Sequence, residues 1–157
     1  MTIYSVLPAA RTRPAVVELN DVIRDMQPML RRLVPDSVSL HLALTSLCTQ
    51  VRADSAELEQ VLLHVVVNAR DAMPRGGKIS LTTWRSTTRH VVLSVTDRGC
   101  GMDPATRACI VDRCFPSAGT GLSIVHAIAD RHGATISVSS VLGAGTKLSM
   151  SFPVVDA

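Results

Sequence analysis

The amino-acid sequence predicts an α/β domain in which helices pack on one face of a mixed, mostly antiparallel sheet. Helical periodicity begins near Asn20, near Asp54 and near Gly121, and the alternating pattern of strands recurs between and after these segments. Two adjacent strand patterns, 78–85 and 90–97, are joined by a short polar connection, which is typical of a hairpin. The chain has 157 residues and 46% of them are hydrophobic, so it can form one domain with its own core.

The first part of the chain is predicted to hold an irregular leader, a helix and a strand. Residues 1–17 show no periodic pattern. Asn20 is the predicted N-cap of the first helix, and Pro28 predicts a kink or an early break in it. Residues 38–44 alternate as a strand and leave His41 on the polar face.

The second helix is predicted to run from Asp54 to about Met73. Asp54 fits an N-cap, and Glu57 fits its capping-box partner three residues later. One face of the helix is apolar and is formed by Leu58, Val61, Leu62, Val65, Ala69 and Ala72.

Beyond the hairpin, shorter elements are predicted. A short helix is expected at 104–110 and a longer one at 121–131, which ends near Gly133. Two strands follow at 135–140 and 147–152.

Charge and composition exclude several classes of protein. The net charge is only +3 and the basic residues are dispersed, so binding to nucleic acid is not expected. No segment has the length and apolarity of a membrane span, although a larger parent protein could be anchored. The four cysteines lack the CxxC spacing, which favours buried thiols in a reduced, cytoplasmic compartment over a disulfide framework or a zinc site.

Three clusters of residues are candidates for chemistry. His64, Asn68 and Asp71 follow each other at helical spacing and suit a metal–phosphate site, although an ordinary polar helix face has the same pattern. Asp97 ends a strand and begins the segment DRGCG, which is either a ligand site or a simple turn. The segment GTGLS, which begins at residue 119, precedes a predicted helix. It is either a loop that binds phosphate or a glycine N-cap.

Taken together and in this order, the clusters resemble the signature boxes of the sensor histidine kinases. The asparagine box of these kinases is resembled by the segment LEQVLLHVVVNARDAMPRGG of this chain. Their first glycine box is resembled by VTDRGCGM, their second by AGTGLSIVHAIADRHG, and their final glycine box by LGAGTKLSMSFP. The lead-in of these domains resembles VVELNDVIRDMQPMLRRL, so the resemblance covers residues 16–154. It implies a two-layer α/β sandwich, the Bergerat ATP-binding fold of the wider GHKL superfamily, with ATP and Mg²⁺ as cofactors.

The resemblance also implies roles for individual residues. Asn68 would ligand Mg²⁺ beside His64 in the catalytic site, and Asp71 would lie at the nucleotide. Asp97 would hold the adenine amino group, supported by Thr146. The rest of the nucleotide site would be formed by glycine turns, apolar walls and the lid, namely by Gly99, Gly101, Met102, Phe115, Gly119, Thr120, Gly121 and Leu122.

The sequence departs from this family in three respects. His64 stands where such kinases commonly have asparagine or another polar residue. The lid is short, because three residues separate Phe115 from Gly119 and GTGLS replaces the fuller GTGLGLS. A short lid covers a triphosphate less well, which predicts weak binding. No histidine precedes His41, so the phosphoacceptor is predicted to lie elsewhere.

The expected organisation is therefore a leader or linker from a missing dimerisation module at 1–17, followed by an ATP-binding domain at 18–157. The domain would be a monomer that donates the γ-phosphoryl group to a histidine-containing module in a phosphorelay with a response regulator. The alternative is a degenerate, non-catalytic module with a shortened ATP lid, which binds nucleotide weakly or not at all and regulates a partner by contact. A serine kinase of the anti-sigma-factor type fits less well, because the lead-in segment resembles that of sensor kinases.

Overall fold

A computed structural model describes residues 14–47, 49–86, 89–99, 122–141 and 143–155. Its helices are α1 (Leu19–Leu33), α2 (Ser55–Asp71) and α3 (Leu122–Arg131). Its strands are β1 (Ala15–Glu18), β2 (Val38–Ala43), β3 (Gln50–Ala53), β4 (Gly77–Arg85), β5 (His90–Asp97), β6 (Thr135–Val141) and β7 (Gly145–Pro153). None of the described helices is long and apolar enough to cross a membrane.

The main sheet has five strands in the order β2-β4-β5-β7-β6. Strand β2 runs parallel to β4, and the other neighbouring pairs are antiparallel. The predicted hairpin is confirmed, since β4 pairs with β5 and Ile79 lies opposite Asp97. The predicted mixed, mostly antiparallel sheet is confirmed as well.

Strands β1 and β3 form a separate two-stranded antiparallel sheet that the sequence did not predict. Strand β1 takes up residues 15–18, at the end of the segment expected to be irregular. Each of these strands has four residues, and each depends on a partner distant in the chain, such as Ala15 on Ala53. Tertiary pairing therefore decides their conformation.

The core lies between the helices and one face of the main sheet. The apolar face of α2 is confirmed, because Leu58, Val61, Leu62, Val65 and Ala69 are all buried. The opposing sheet face contributes fully buried side chains, including Ile79, Leu81, Met150 and Phe152. The other face of the sheet lines a groove of about 380 Å³, with Trp84, Lys147 and a set of serines along it. The prediction that helices cover one face of the sheet is confirmed.

Asn20 is predicted to be the N-cap of α1, but it does not cap the helix. The helix begins at Leu19, and Glu18 occupies the cap position without a side-chain cap bond. The Asn20 side chain is buried and donates to the Thr45 carbonyl oxygen at 2.8 Å, while its own oxygen accepts from the Thr83 hydroxyl at 2.8 Å. The side-chain oxygen of an N-cap accepts from an amide of the first turn, whereas the Asn20 side chain joins α1 to β4 and to the loop after β2.

Pro28 does not break α1, which is continuous from Leu19 to Leu33. Proline removes one amide and displaces the carbonyl of the residue four positions earlier, which is Arg24. Both Pro28 and Arg24 are exposed, so water can hydrate that carbonyl.

Helices α2 and α3 are tied together at the start of one and the end of the other. Asp54 is the N-cap of α2, as predicted, and its carboxylate accepts from the amides of Ala56 at 2.8 Å and Glu57 at 3.4 Å. The capping box is not completed, because the Asp54 amide donates to Nε2 of His132 at 3.0 Å and Glu57 forms an ion pair with Arg131. Glu57 thus connects the helices instead of capping one of them.

Candidate functional site

Asp97, the last residue of β5, is the buried acid of the site. The residue is 7% exposed, and its side chain accepts a hydrogen bond from the Gly99 amide at 2.8 Å. The Thr146 amide, directly across the sheet in β7, also donates to it. Burial raises the pKa of the Asp97 carboxyl above its ordinary value, and these two donors oppose part of the rise because they favour the charged form. A carboxylate in such surroundings can accept a hydrogen bond from a ligand.

Two glycines allow other backbone segments to pack closely against the loop that begins at Asp97. Gly145 has a φ of +118°, and a Cβ there would meet the Asp97 carbonyl oxygen and lie 2.9 Å from Cα of Arg98. A Cβ on Gly99 would lie 2.5 Å from the carbonyl oxygen of Ala72, at the end of α2. The loop after β5 therefore contacts the end of α2 on one side and the start of β7 on the other.

A second hydrogen-bonded group supports the start of β7. The Ser140 hydroxyl of β6 donates to the Gly145 carbonyl oxygen at 3.1 Å and lies 2.9 Å from the Thr146 hydroxyl. Ser140 and Thr146 are both half-buried. The group adjoins Asp97, because Thr146 pairs with Ser140 on one side and with Asp97 on the other.

Helix α2 carries the remaining described polar residues of the predicted site. His64 and Asn68 are half-buried one turn apart, whereas Asp71 is exposed and contacts Nε of Arg70 at 3.0 Å. Burial lowers the pKa of the His64 imidazole, so its neutral form is favoured near neutral pH. Since the end of α2 contacts Gly99, the helix and the Asp97 loop belong to one region of the surface.

Several predicted site residues lie outside the described part of the chain. These are Gly101, Met102, Phe115, Gly119, Thr120 and Gly121. The short helix expected at 104–110 lies there too. Leu122 is the first residue of α3, so the predicted glycine cluster does lead directly into a helix.

Sequence reasoning missed Ser140 and the contact between Gly99 and Ala72. Ser140 is one of several serines in β6, and its register against Thr146 singles it out. A weak signal was present, because the glycine connection between the last two strand patterns predicts a hairpin that pairs the residues flanking it.

Donor chemistry limits what metal the described residues could hold. They include no cluster of three or more histidine, cysteine, aspartate or glutamate side chains. A cation that takes one or two protein oxygens and completes its shell with phosphate and water fits Asn68 better than a metal that needs a full set of protein ligands.

Comparisons with known proteins agree with this geometry. Residues 53–156 match the model of the family described as histidine kinase-, DNA gyrase B- and HSP90-like ATPase. Sensor kinase CckA of Brucella abortus (strain 2308) is 33% identical over 161 residues, covering 90% of this chain and 17% of CckA. The chain thus spans a small part of that relative.

Solved structures share the fold. The mycobacterial sensor histidine kinase MprB has a TM-score of 0.74 at 28% identity, covering 90% of this chain and 97% of that one. Histidine kinase ThkA, solved in complex with the response regulator protein TrrA, has a TM-score of 0.75 at 23% identity, covering 98% of this chain and 45% of that one. This chain belongs to the histidine kinase-, DNA gyrase B- and HSP90-like ATPase family, as an ATP-binding catalytic domain of the sensor histidine kinase type.

Proposed function

We propose that this domain donates the γ-phosphoryl group of Mg²⁺-bound ATP to a histidine on a separate dimerisation module, from which a response regulator receives it. The observation that carries the proposal is the buried Asp97 carboxylate, held by two backbone donors between the end of α2 and the start of β7. The family match supports the ATP site, and the ThkA complex with TrrA supports the kind of partner.

Asp97 would recognise the base. Its carboxylate can accept from the exocyclic amino group of adenine, which is a donor, and would repel the carbonyl oxygen that guanine has at that position. Gly99 and Gly145 allow the surrounding backbone to approach without a side chain in the way. Adenine would therefore be preferred over bases that carry a carbonyl at that position.

Asn68 and Asp71 would face the phosphates, with the carboxamide oxygen of Asn68 as the protein ligand of Mg²⁺. When bound, Mg²⁺ neutralises phosphate charge. The carboxamide is neutral and half-buried, so it can offer an oxygen without adding a charge of its own.

His64 would act beside Asn68 on the same face of α2. Its neutral ring can donate one hydrogen bond and accept another, and it adds no positive charge that would hold the phosphates of the ADP product. The reaction breaks the bond between the γ-phosphorus and the bridging oxygen of ATP, and ADP leaves with the electron pair. The lone pair of one ring nitrogen of the acceptor histidine forms the new bond to phosphorus, and the proton on the other ring nitrogen is released to water. The protein's part is positioning.

The short GTGLS segment favours one alternative, a module that binds nucleotide and regulates a partner without transfer. Both candidates would act in the cytoplasm, as the cysteine spacing suggests.

Phosphotransfer in trans distinguishes the two candidates. The chain is incubated with Mg²⁺ and γ-labelled ATP, alone and with a separately purified helical hairpin that carries the acceptor histidine of a related kinase. We expect acid-labile, base-stable label on the hairpin and none on the chain. A hairpin with that histidine replaced by alanine is the control. Nucleotide binding without transfer would favour the regulatory module, and a lack of nucleotide binding would overturn the kinase and its ATP site.

Asn68→Ala is expected to weaken Mg²⁺–ATP binding roughly tenfold or more, whereas ADP without metal should be affected much less, because the lost group is a metal ligand. Calorimetry with each nucleotide measures both effects. Gln60→Ala is the matched control, since it removes another carboxamide from α2. Equal losses with and without metal would show that Asn68 is structural.

A further inference from the structure

Ser140 lies beside the proposed base site. It is half-buried on β6 and pairs with Thr146, and Thr146 pairs in turn with Asp97 across β7. The three residues thus occupy one row across three strands. A residue that orients the Thr146 side chain therefore affects the surroundings of the Asp97 carboxylate, which would hold the base.

The two hydrogen-bond contacts of the Ser140 hydroxyl determine the direction in which the Thr146 hydroxyl donates. The Ser140 hydroxyl has one hydrogen, and the Gly145 carbonyl oxygen, 3.1 Å away, can only accept. A Ser140 hydroxyl that donates to Gly145 can only accept in its 2.9 Å contact with the Thr146 hydroxyl, and Thr146 is then the donor. The oxygen of Thr146 then has no hydrogen left for a ligand and offers lone pairs only.

We propose that Ser140 is a positioning residue for base recognition, which orients the Thr146 hydroxyl so that it presents an acceptor beside the Asp97 carboxylate. Two adjacent acceptors suit the amino group of adenine, directly or through a water molecule, and disfavour a base with a carbonyl oxygen there. The same serine anchors the Gly145 carbonyl and with it the turn that brings the Thr146 amide to Asp97. This inference rests on the proposed adenine site.

The test compares ADP with inosine diphosphate, which carries a carbonyl oxygen in place of the amino group. Both are titrated by calorimetry without metal into the full chain. We expect the wild type to prefer ADP. Ser140→Ala should lower ADP affinity roughly threefold to tenfold, with little change for inosine diphosphate, so the ratio between them falls. Ser140→Thr keeps a hydroxyl and should retain most of the preference.

Two further variants separate positioning from general damage. Ser139→Ala changes the neighbouring, exposed serine and should behave as wild type. Thr146→Val removes the oriented hydroxyl while keeping a β-branched side chain, and adding Ser140→Ala to it should lower the ratio no further. An unchanged ratio in Ser140→Ala, or equal losses for both nucleotides, would overturn the role of Ser140. A wild type without preference for ADP would instead overturn the base site itself.

Discussion

Asp97→Asn is expected to lower ATP affinity roughly tenfold to a hundredfold while the domain remains folded. Asparagine keeps one oxygen but replaces the other with an amino group, which cannot accept a hydrogen bond from adenine. Leaving a buried donor unmatched costs about 1–3 kcal/mol, and about 1.4 kcal/mol corresponds to a factor of ten in affinity. The measurement is calorimetric titration with ATP.

The fold should tolerate this change because ionised Asp97 is not a strongly stabilising group. Burial raises the pKa of Asp97, so its ionisation is less favourable in the folded protein than in the unfolded chain, and the one oxygen of asparagine can still accept from a backbone donor. Thermal unfolding and circular dichroism should therefore stay close to wild type. Asp25→Asn, an exposed change on α1, is the control for loss of a carboxylate. ATP affinity equal to wild type in Asp97→Asn would remove Asp97 from the base site.

Local signals made part of the fold predictable. Helix α2 is predicted from Asp54 to about Met73 and is found at Ser55–Asp71. It could be predicted because its N-cap and its apolar face belong to one continuous stretch of sequence. The β4–β5 hairpin was likewise predictable, since β4 alternates, β5 is a mostly apolar run, and a short polar connection joins them. Strands β1 and β3 were not, because neither has a pattern of its own.

Asn20 and Glu57 show how tertiary contacts override local patterns. Both occupy positions that suit helix capping, yet Asn20 bonds to Thr45 and Thr83, and Glu57 pairs with Arg131 in another helix. A polar residue near a helix start has the same sequence signature in either role. Distinguishing the roles requires knowledge of what packs against that end.

Site residues could be predicted where the residue type and its local sequence indicate the role. They could not be predicted where the role depends on which residue of the neighbouring strand lies opposite. An acid that ends an apolar strand before two glycines is visible in the sequence, so Asp97 could be named. Ser140 had only a weak signal, because its position opposite Thr146 depends on how β6 pairs with β7. The closeness of Gly99 to Ala72 could not be predicted, because it depends on where α2 ends against the loop after β5.

Gly145→Ala is expected to destabilise the domain by about 2–4 kcal/mol and to abolish measurable ATP binding. The φ of +118° is costly for any residue with a Cβ, at about 1–3 kcal/mol. The added methyl group would also meet the Asp97 carbonyl oxygen and the Arg98 Cα, which are backbone atoms that cannot move aside alone. The start of β7 must then shift away from β5, and the Thr146 amide moves away from the Asp97 carboxylate with it.

Gly143→Ala and Gly133→Ala separate these two causes. Both glycines have positive φ, +83° and +64°, but a Cβ at either would meet no atom of the described residues within 4 Å. Each control should therefore show backbone strain alone, about 1 kcal/mol, with ATP affinity near that of wild type. Chemical denaturation and ATP titration of the three variants measure both quantities. If Gly145→Ala lost no more stability than Gly143→Ala and still bound ATP, the contact between β7 and the Asp97 backbone would not be a requirement of the site.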